Sequence, residues 1–369
     1  MIELEVDGVP FKQFTTASVT LAIDETANSF EFTATNKPEN GAITFPFRRG
    51  DAVRVLVDGE HVTTGFIESM NGSYDATSHT IDVAGRDRTA DYVDSGIDVI
   101  DDLQSGLSLK GLLEKVLAHI KSPIKVIDNV NPPKFNEAED IVSPDVGEGC
   151  FEFCDKYIRK RQVLLTSDKD GNLVITNSEA TRVDAAIQRI IGSRSNNVLS
   201  AQWTNSAVDR FNLYIFKGQL DPIPLEFISN PGIDGVVEQG GRVTDDEIRE
   251  GRQMVEVLTK GYSSEQIGER AKWTKKIRRA RSVIYSAQVR GFRDLAGNLY
   301  AINTVMPVRD DYADINRDLL VNSVTFSFSG AGSLTTLGFI EKNAYKIQIS
   351  EPTPVGTDQD IFGGFAGGS

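Results

Sequence analysis

The residues able to do chemistry are few, and each set has a plainer explanation beside it. Cys150 and Cys154 lie one helical turn apart, a spacing that holds two metal ligands, but structural zinc takes four. His61, His79 and His119 are the only histidines, and no spacing brings them to the cysteines, so two small apolar residues on a buried helix face is the better reading. Asp168-Lys-Asp-Gly-Asn172 with Glu179 imitates a calcium loop. The glycine that such a loop needs at its sixth position is replaced by Leu173, and the flanks read as strands, so a hairpin turn is expected. Asp310, Asp311, Asp314 and Asp318 follow a strand, as a pair of hydrolytic carboxylates would; a solvated loop is the commoner origin of such a cluster. Glu137 and Glu139 are a second acidic pair of the same kind. The phosphate loop, the dinucleotide fingerprint and the nucleophile elbow are all missing.

One segment is strongly basic. Arg270, Lys272, Lys275, Lys276, Arg278, Arg279 and Arg281 stand against only Glu265 and Glu269, a local charge of about +5 in a chain of net charge -14. A solvated helix face, a nucleic-acid patch and an electrostatic contact with an acidic neighbour compete here. Trp273 stands alone without an aromatic array, which weakens the nucleic-acid reading and favours a contact between subunits. The acidic balance of the whole chain also argues against a general nucleic-acid binder.

The elements that must position these residues follow from periodicity. Ile2–Val6, Val19/Leu21/Ile23, Phe30/Phe32/Ala34, Val53/Val55/Val57 and Ile81/Val83 alternate with period two, and Asp7-Gly8 and Asp58-Gly59 supply hairpin turns. After Asp94 the period changes. Leu109, Leu112, Leu113, Val116, Leu117 and Ile120 predict a helix capped by Ser108. A strand over 124–127 follows, and then a loop over 131–140. Ser143-Pro144 predicts the start of a second helix with the stripe Val146, Cys150, Phe153, Cys154, Tyr157 and Ile158. Strands 163–166 and 173–176 predict a hairpin. Further strands are expected at 198–203 and 210–217, a long surface loop at 219–241, a helix at 263–282, and strands at 283–290, 304–309, 319–328 and 334–340.

The expected class is therefore β-rich α+β. A chain of 369 residues has room for several domains, and two tube-like antiparallel β-barrels with an α/β insertion between them account for the order of elements. The first barrel spans 1–96 and is completed by strands from 186–218. The insertion spans 97–182, the second barrel with its helix 263–282 spans 219–345, and a flexible Gly-rich tail spans 346–369. No signal sequence and no apolar run of membrane-spanning length is visible, so the chain reads as soluble, made in the cytoplasm and not inserted in a membrane.

The most specific stretch is Ala84-Gly-Arg-Asp-Arg-Thr-Ala-Asp-Tyr-Val-Asp94, a strand end running into a charged corner. It resembles the AGRDxTADLxD corner of the baseplate hub proteins of Mu-like contractile-tailed phages, a tail-hub family related to the myophage central hub and to the hub part of secretion-system spike proteins. Asp209-Arg-Phe-Asn-Leu-Tyr-Ile-Phe-Lys-Gly218 is similar to that family's DRFSxYxVKG strand, and Leu319–Thr325 to one of its last strand pair. The basic helix matches an arginine-rich family helix. Tyr300-Ala-Ile-Asn303 departs from the family's Trp-x-Pro-Asn step, and the 219–241 loop and the tail have no counterpart.

The resemblance implies a non-enzymatic virion protein without cofactors. As a homotrimeric ring of six similar barrels it would join a three-fold spike to the six-fold tail tube around a channel for tape measure and DNA. Its expected partners are other copies of itself, a separate central spike, the tail tube or tube initiator, the tape measure and surrounding baseplate proteins, with no sequence-specific nucleic acid. It would be assembled in the host cytoplasm and located in the tail baseplate. Arg86, Asp87, Arg88, Asp91, Arg270, Lys272, Lys275, Lys276, Arg278, Arg279 and Arg281 are the candidate interface residues. The rival expectations are a carbohydrate- or receptor-binding tail protein, which needs an exposed aromatic platform, and a cell-wall hydrolase using the acidic pairs.

Overall fold

The computed structural model describes all residues except 36–46, 76–78, 99, 101–102, 104–105, 136–143, 179–180, 220–236, 259–263, 343 and 346–369. The Glu137/Glu139 pair, Glu179, the tail, and most of the 219–241 loop lie outside the described residues, as do Ser143 and part of the 131–140 loop. Hairpin turns fall where Asp-Gly predicts them. Asp7 and Gly8 have φ of +50° and +79°, and Asp58 and Gly59 +48° and +80°, the left-handed pair that a two-residue hairpin turn with the strand twist requires. The first joins β1 (Ile2–Val6) to β2 (Val9–Phe11), and the second joins β5 (Ala52–Val57) to β6 (Glu60–Tyr74). Strands β3 (Thr16–Ala22), β4 (Ser29–Thr35) and β7 (His79–Asp87) complete the N-terminal set, and α1 (Ala90–Asp94) follows at once.

The middle of the chain holds α2 (Leu109–His119), β8 (Val126–Asp128), α3 (Cys150–Lys160), β9 (Leu164–Ser167) and β10 (Leu173–Thr176). The three strands form a small sheet in the order β8-β10-β9. Leu112, Val116, Phe153, Cys154 and Leu173 share one buried core with it. Ser108 Oγ accepts a bond from the Gly111 amide, as the cap predicts. The second helix is shorter than the sequence suggests. A turn closed by the Glu148 amide on the Asp145 carbonyl, with Gly147 at φ +86°, and then the bridge between Gly96 and Gly149 delay the helix to Cys150, so Val146 lies in the turn and is 77 % exposed instead of joining the stripe.

The later strands are β11 (Thr181–Arg182), β12 (Ile187–Arg189), β13 (Val198–Asn205), β14 (Leu213–Gln219), β15 (Val237–Thr244), β16 (Gln253–Val257), β17 (Val283–Arg290), β18 (Thr304–Asp310), β19 (Ile315–Ser329) and β20 (Gly332–Glu341). Helix α4 (Ser264–Ser282) runs straight into β17. The class is β-rich with few helices, as expected.

Both ends of the chain share one 14-stranded sheet, in the order β13-β17-β20-β19-β3-β4-β7-β6-β5-β1-β2, with β18 on β19 and β11 and β12 on β18. The seam is the antiparallel β3–β19 pair, from Ala22 opposite Ser323 to Ala17 opposite Phe328. Val19, Phe30, Phe32 and Val55 consequently share one core with Tyr285, Phe326, Leu337 and Phe339. Two domain assignments need correction. Strands β12 and β13 bond to β18 and β17, and neither completes the 1–96 set. The apolar faces explain this: Val198 and Ala201 stand opposite Val289 and Ala287, two core residues. Residues from β14 to β16 are also separate from the large sheet, forming their own β15-β14-β16 sheet under α4. Gly241 lets that helix approach, since a Cβ there would come within 2.8 Å of the Gly268 Cα.

Candidate functional site

The charged corner turns inward. Asp87 is 1 % exposed and collects donors from three directions: the Asn28 amide at 2.9 Å, the Ser167 hydroxyl, and the Thr89 amide at 3.1 Å with its hydroxyl. Asn28 Nδ2 in turn donates to Ser167 Oγ at 2.7 Å. One short carboxylate thus ties the β3–β4 turn, the end of β7 and strand β9 together. Burial pushes its pKa above the ordinary range although every bond favours the charged form, so desolvation outweighs four donors. Gly85 opens the way for this packing, because a Cβ there would strike the Phe30 ring and the Phe66 carbonyl.

The rest of the corner lies nearer the surface. Arg86 forks onto Glu68 at 2.8 Å and onto Asp94; the two acids hold its proton more tightly, and the bond from Arg86 in turn lowers the Asp94 carboxyl. The base of Arg88 packs against Gly171, whose φ of +76° closes the β9–β10 turn. Asp91 is exposed, with its pKa raised by burial first and by Glu68 next.

The basic helix spends most of its charge inside the chain. Arg270 is buried, donates to the Arg159 carbonyl at 3.2 Å and stacks 4.6 Å over Trp273. Lys275 donates to the Thr244 carbonyl, Arg278 to the Asp209 carbonyl, Arg279 pairs with Glu247, and Arg281 lies 3.9 Å from Asp24. Lys276 is partly buried, while Lys272 faces solvent. The helix braces the β14–β16 sheet, the insertion and the large sheet, and it leaves Lys272, Arg279 and Arg281 exposed.

A buried ion pair escaped the sequence reading. Arg210 grips Asp245 with two nitrogens at 2.8–3.0 Å, both residues being under 10 % exposed, and reaches Glu247 at 2.7 Å. Burial opposes the guanidinium charge, but the bonds to Glu247 and Asp245 outweigh it and raise its pKa. Glu247 carries the chain of charges on to Arg279. The Asp-Arg-Phe triplet was visible, but its partner lies 35 residues on, beyond any local pattern. Phe211 receives both Arg252 and Arg278 on its ring, at 5.6 and 5.4 Å.

The other candidates serve the fold. Asp168 Oδ1 accepts from the Asp170 and Asn172 amides at 2.9 Å, which makes it the turn residue of the hairpin. The aspartates after β18 diverge: Asp310 is buried under the Tyr285 hydroxyl at 2.7 Å, Asp311 accepts from the Ile191 amide, and Asp318 pairs with Arg182. Asp314 sits at φ +53° in the turn. Cys150 and Cys154 are buried and free, and burial raises the Cys154 thiol to about 12. Among the described residues no three or more His, Cys, Asp or Glu gather as a metal site would require. Trp203 lies on β13 and Trp273 on α4 beneath Arg270, so they form no shared platform.

Two stretches of the chain match known family models. Residues 1–87 match the family model of the N-terminal domain of Mu phage baseplate assembly protein GpP-like, and residues 263–348 that of the fourth domain of GpP. The chain is 27 % identical over 341 residues to baseplate hub protein gp44 of Escherichia phage Mu, covering 91 % of this chain and 86 % of that one. It superposes on the 43 kDa tail protein of prophage MuSo2 from Shewanella oneidensis with a TM-score of 0.78 and 29 % identity, covering 93 % of this chain and 99 % of the other. A tail protein from Neisseria meningitidis MC58 shares the fold, with a TM-score of 0.74 at 17 % identity over 93 % and 98 % of the two chains. The resemblance read from the sequence holds across nearly the full length, and the relatives are structural proteins of phage tails and baseplates.

Proposed function

We propose that this chain is the structural hub of a contractile-tail baseplate, in a phage or a tail-derived particle, and works without catalysis. One observation carries the reading: the similarity to baseplate hub protein gp44 runs through both proteins nearly end to end, so the whole architecture is shared and not a single module. In this reading three copies close into a ring whose inner surface has near six-fold symmetry. The ring adapts a three-fold spike to a six-fold tail tube and surrounds the passage for tape measure and DNA. Tail tube, spike and neighbouring baseplate proteins are its partners.

The free edges of the sheet support a head-to-tail closure. Among the described residues β13 and β2 are each bonded on one side only, and β13 exposes Leu199 and Trp203, both 51 % accessible. An unpaired edge with exposed apolar side chains is unstable in isolation and is normally covered. Asp91, Lys272, Arg279 and Arg281 are the interface candidates exposed enough to face another copy, although Arg279 and Arg281 also pair with Glu247 and Asp24 within the chain; Asp87 works within the chain. The decisive experiment is native mass with negative-stain imaging. A trimer of about 121 kDa, three times the 40.4 kDa chain, with a central hole is expected, and Trp203→Glu should dissociate it. A wild-type chain that stays monomeric even when co-expressed with its spike partner overturns the reading.

A further inference from the structure

One face of the large sheet is packed as the core, and the other holds a row of short polar side chains. Ser200, Gln288, Thr336, Thr325, Thr20 and Ser29 stand opposite one another across β13, β17, β20, β19, β3 and β4. Their neighbours along the strands, among them Ala287, Leu337, Val324 and Val19, belong to the core, so by the two-residue period the row points away from it. Every member is exposed or half-buried, and the Thr20 and Thr325 hydroxyls bond each other at 3.0 Å across the seam. Helix α4 packs on one end of this face, where Ile277 and Ala280 meet Leu320 and Ile340.

The row carries no charge and no large apolar side chain. The adjacent rows on β13, β17, β20, β19 and β3 continue it with Ser286, Ser323 and Ser327, and they hold a single charge, Arg290. An ordinary outer surface is about 25–35 % charged, and the centre of a protein–protein interface is rich in aromatic anchors. This face has neither character. Where charge returns, on β4 and β7, it is acidic: Glu31 and Asp82 are exposed, and Arg86 is taken up by Glu68 and Asp94. Duplex DNA is gripped through its phosphates by lysine and arginine. A face of short hydroxyls flanked by acids offers DNA no cation to hold it.

We propose that this face is the wall along which DNA travels, and that its small uncharged side chains keep the moving duplex from binding. The inference rests on the hub reading. Closure of the copies through the edges of the sheet leaves one side of each copy toward the hole, and composition assigns this face to that side. Thr20 and Thr325 lie near the middle of the row, where an added cation would meet the passing phosphates.

The test uses the full chain as its assembled trimer, and native mass shows separately whether that trimer exists. Thr325→Cys and, at a second position, Ser29→Cys should react with N-ethylmaleimide in the trimer but not with a maleimide carried on a globular protein too large to enter the hole. Cys150 and Cys154 are buried, which keeps the background low. In the Trp203→Glu background, where the chain is expected as a monomer, the large reagent should react as well. Reaction of the trimer with both reagents puts the face on the outside, and reaction with neither puts it in a contact; either result overturns the proposal. Thr20→Lys with Thr325→Lys adds two cations per chain to the wall and should raise affinity for a linear DNA duplex at least about tenfold at low salt, a gain that added salt removes. A wild-type trimer that already holds the duplex as tightly, or a lysine variant that gains nothing, overturns it equally.

Discussion

The corner at Arg86–Asp91 and the basic helix α4 are both dense in charge, and the fold uses that charge in opposite ways. At the corner, one short carboxylate, Asp87, gathers donors from three separate segments at fixed positions. Along the helix, long cationic side chains each find a different partner, usually a carbonyl or a half-exposed acid. A short buried group tolerates no displacement of its partners, whereas a long surface one adapts. The difference is one of rigidity: the corner fixes how insertion and sheet meet, and the helix steadies a joint that could still yield.

The Arg210–Asp245 pair links the helix side of the molecule to the rigid class, and the largest effect is expected there. Arg210→Ala leaves Asp245 buried and unpaired, which should cost about 3–5 kcal/mol by urea unfolding. Arg210→Lys keeps the charge and loses the two-nitrogen grip, so it should cost less, about 1–2 kcal/mol. Equal costs for the two variants would mean that the fork geometry contributes nothing.

Asp87 comes next. Asp87→Asn puts an amide donor among groups that already donate, and a loss of about 2–3 kcal/mol is expected. The pH dependence has a definite sign. The native carboxyl has a raised pKa, so above about 3.8 it keeps its proton where the unfolded chain has lost it. This group therefore subtracts stability as pH rises from 3.8 through the native value. The stability gap between wild type and Asp87→Asn should narrow between acid and neutral pH. A gap that widened would show the carboxylate to be stabilised and not penalised by its surroundings.

How much of this was legible in the sequence depends on distance along the chain. The Asp-Gly hairpins, the strands after Val283 and the Ser108 cap follow from neighbours a few residues apart, and they stand where they were expected. The assignment of β12 and β13 failed because pairing partners about a hundred residues away leave no local mark. The corner was recognisable as a motif, but alternation alone could not reveal that Asp87 points inward to Ser167, 80 residues on. The acidic run after β18 looked like a cluster only because it is contiguous. In space each aspartate serves a different neighbour.

The smallest expected effect separates the helix from the corner most directly. Arg279 and Glu247 are each about half exposed, 48 % and 50 %, so water and salt screen their attraction and side-chain ordering offsets the rest. Arg279→Ala should leave the unfolding free energy of the chain within about 0.5 kcal/mol of wild type. Glu247 keeps its bond to Arg210, so no acid is stranded by the change. If the exposed cations of α4 face another copy, Arg279→Glu should instead lower the trimer fraction at low salt, and added salt should reduce that difference. A loss of chain stability as large as that of Arg210→Ala would place the helix in the same rigid class as the corner, and the contrast between the two regions would fail.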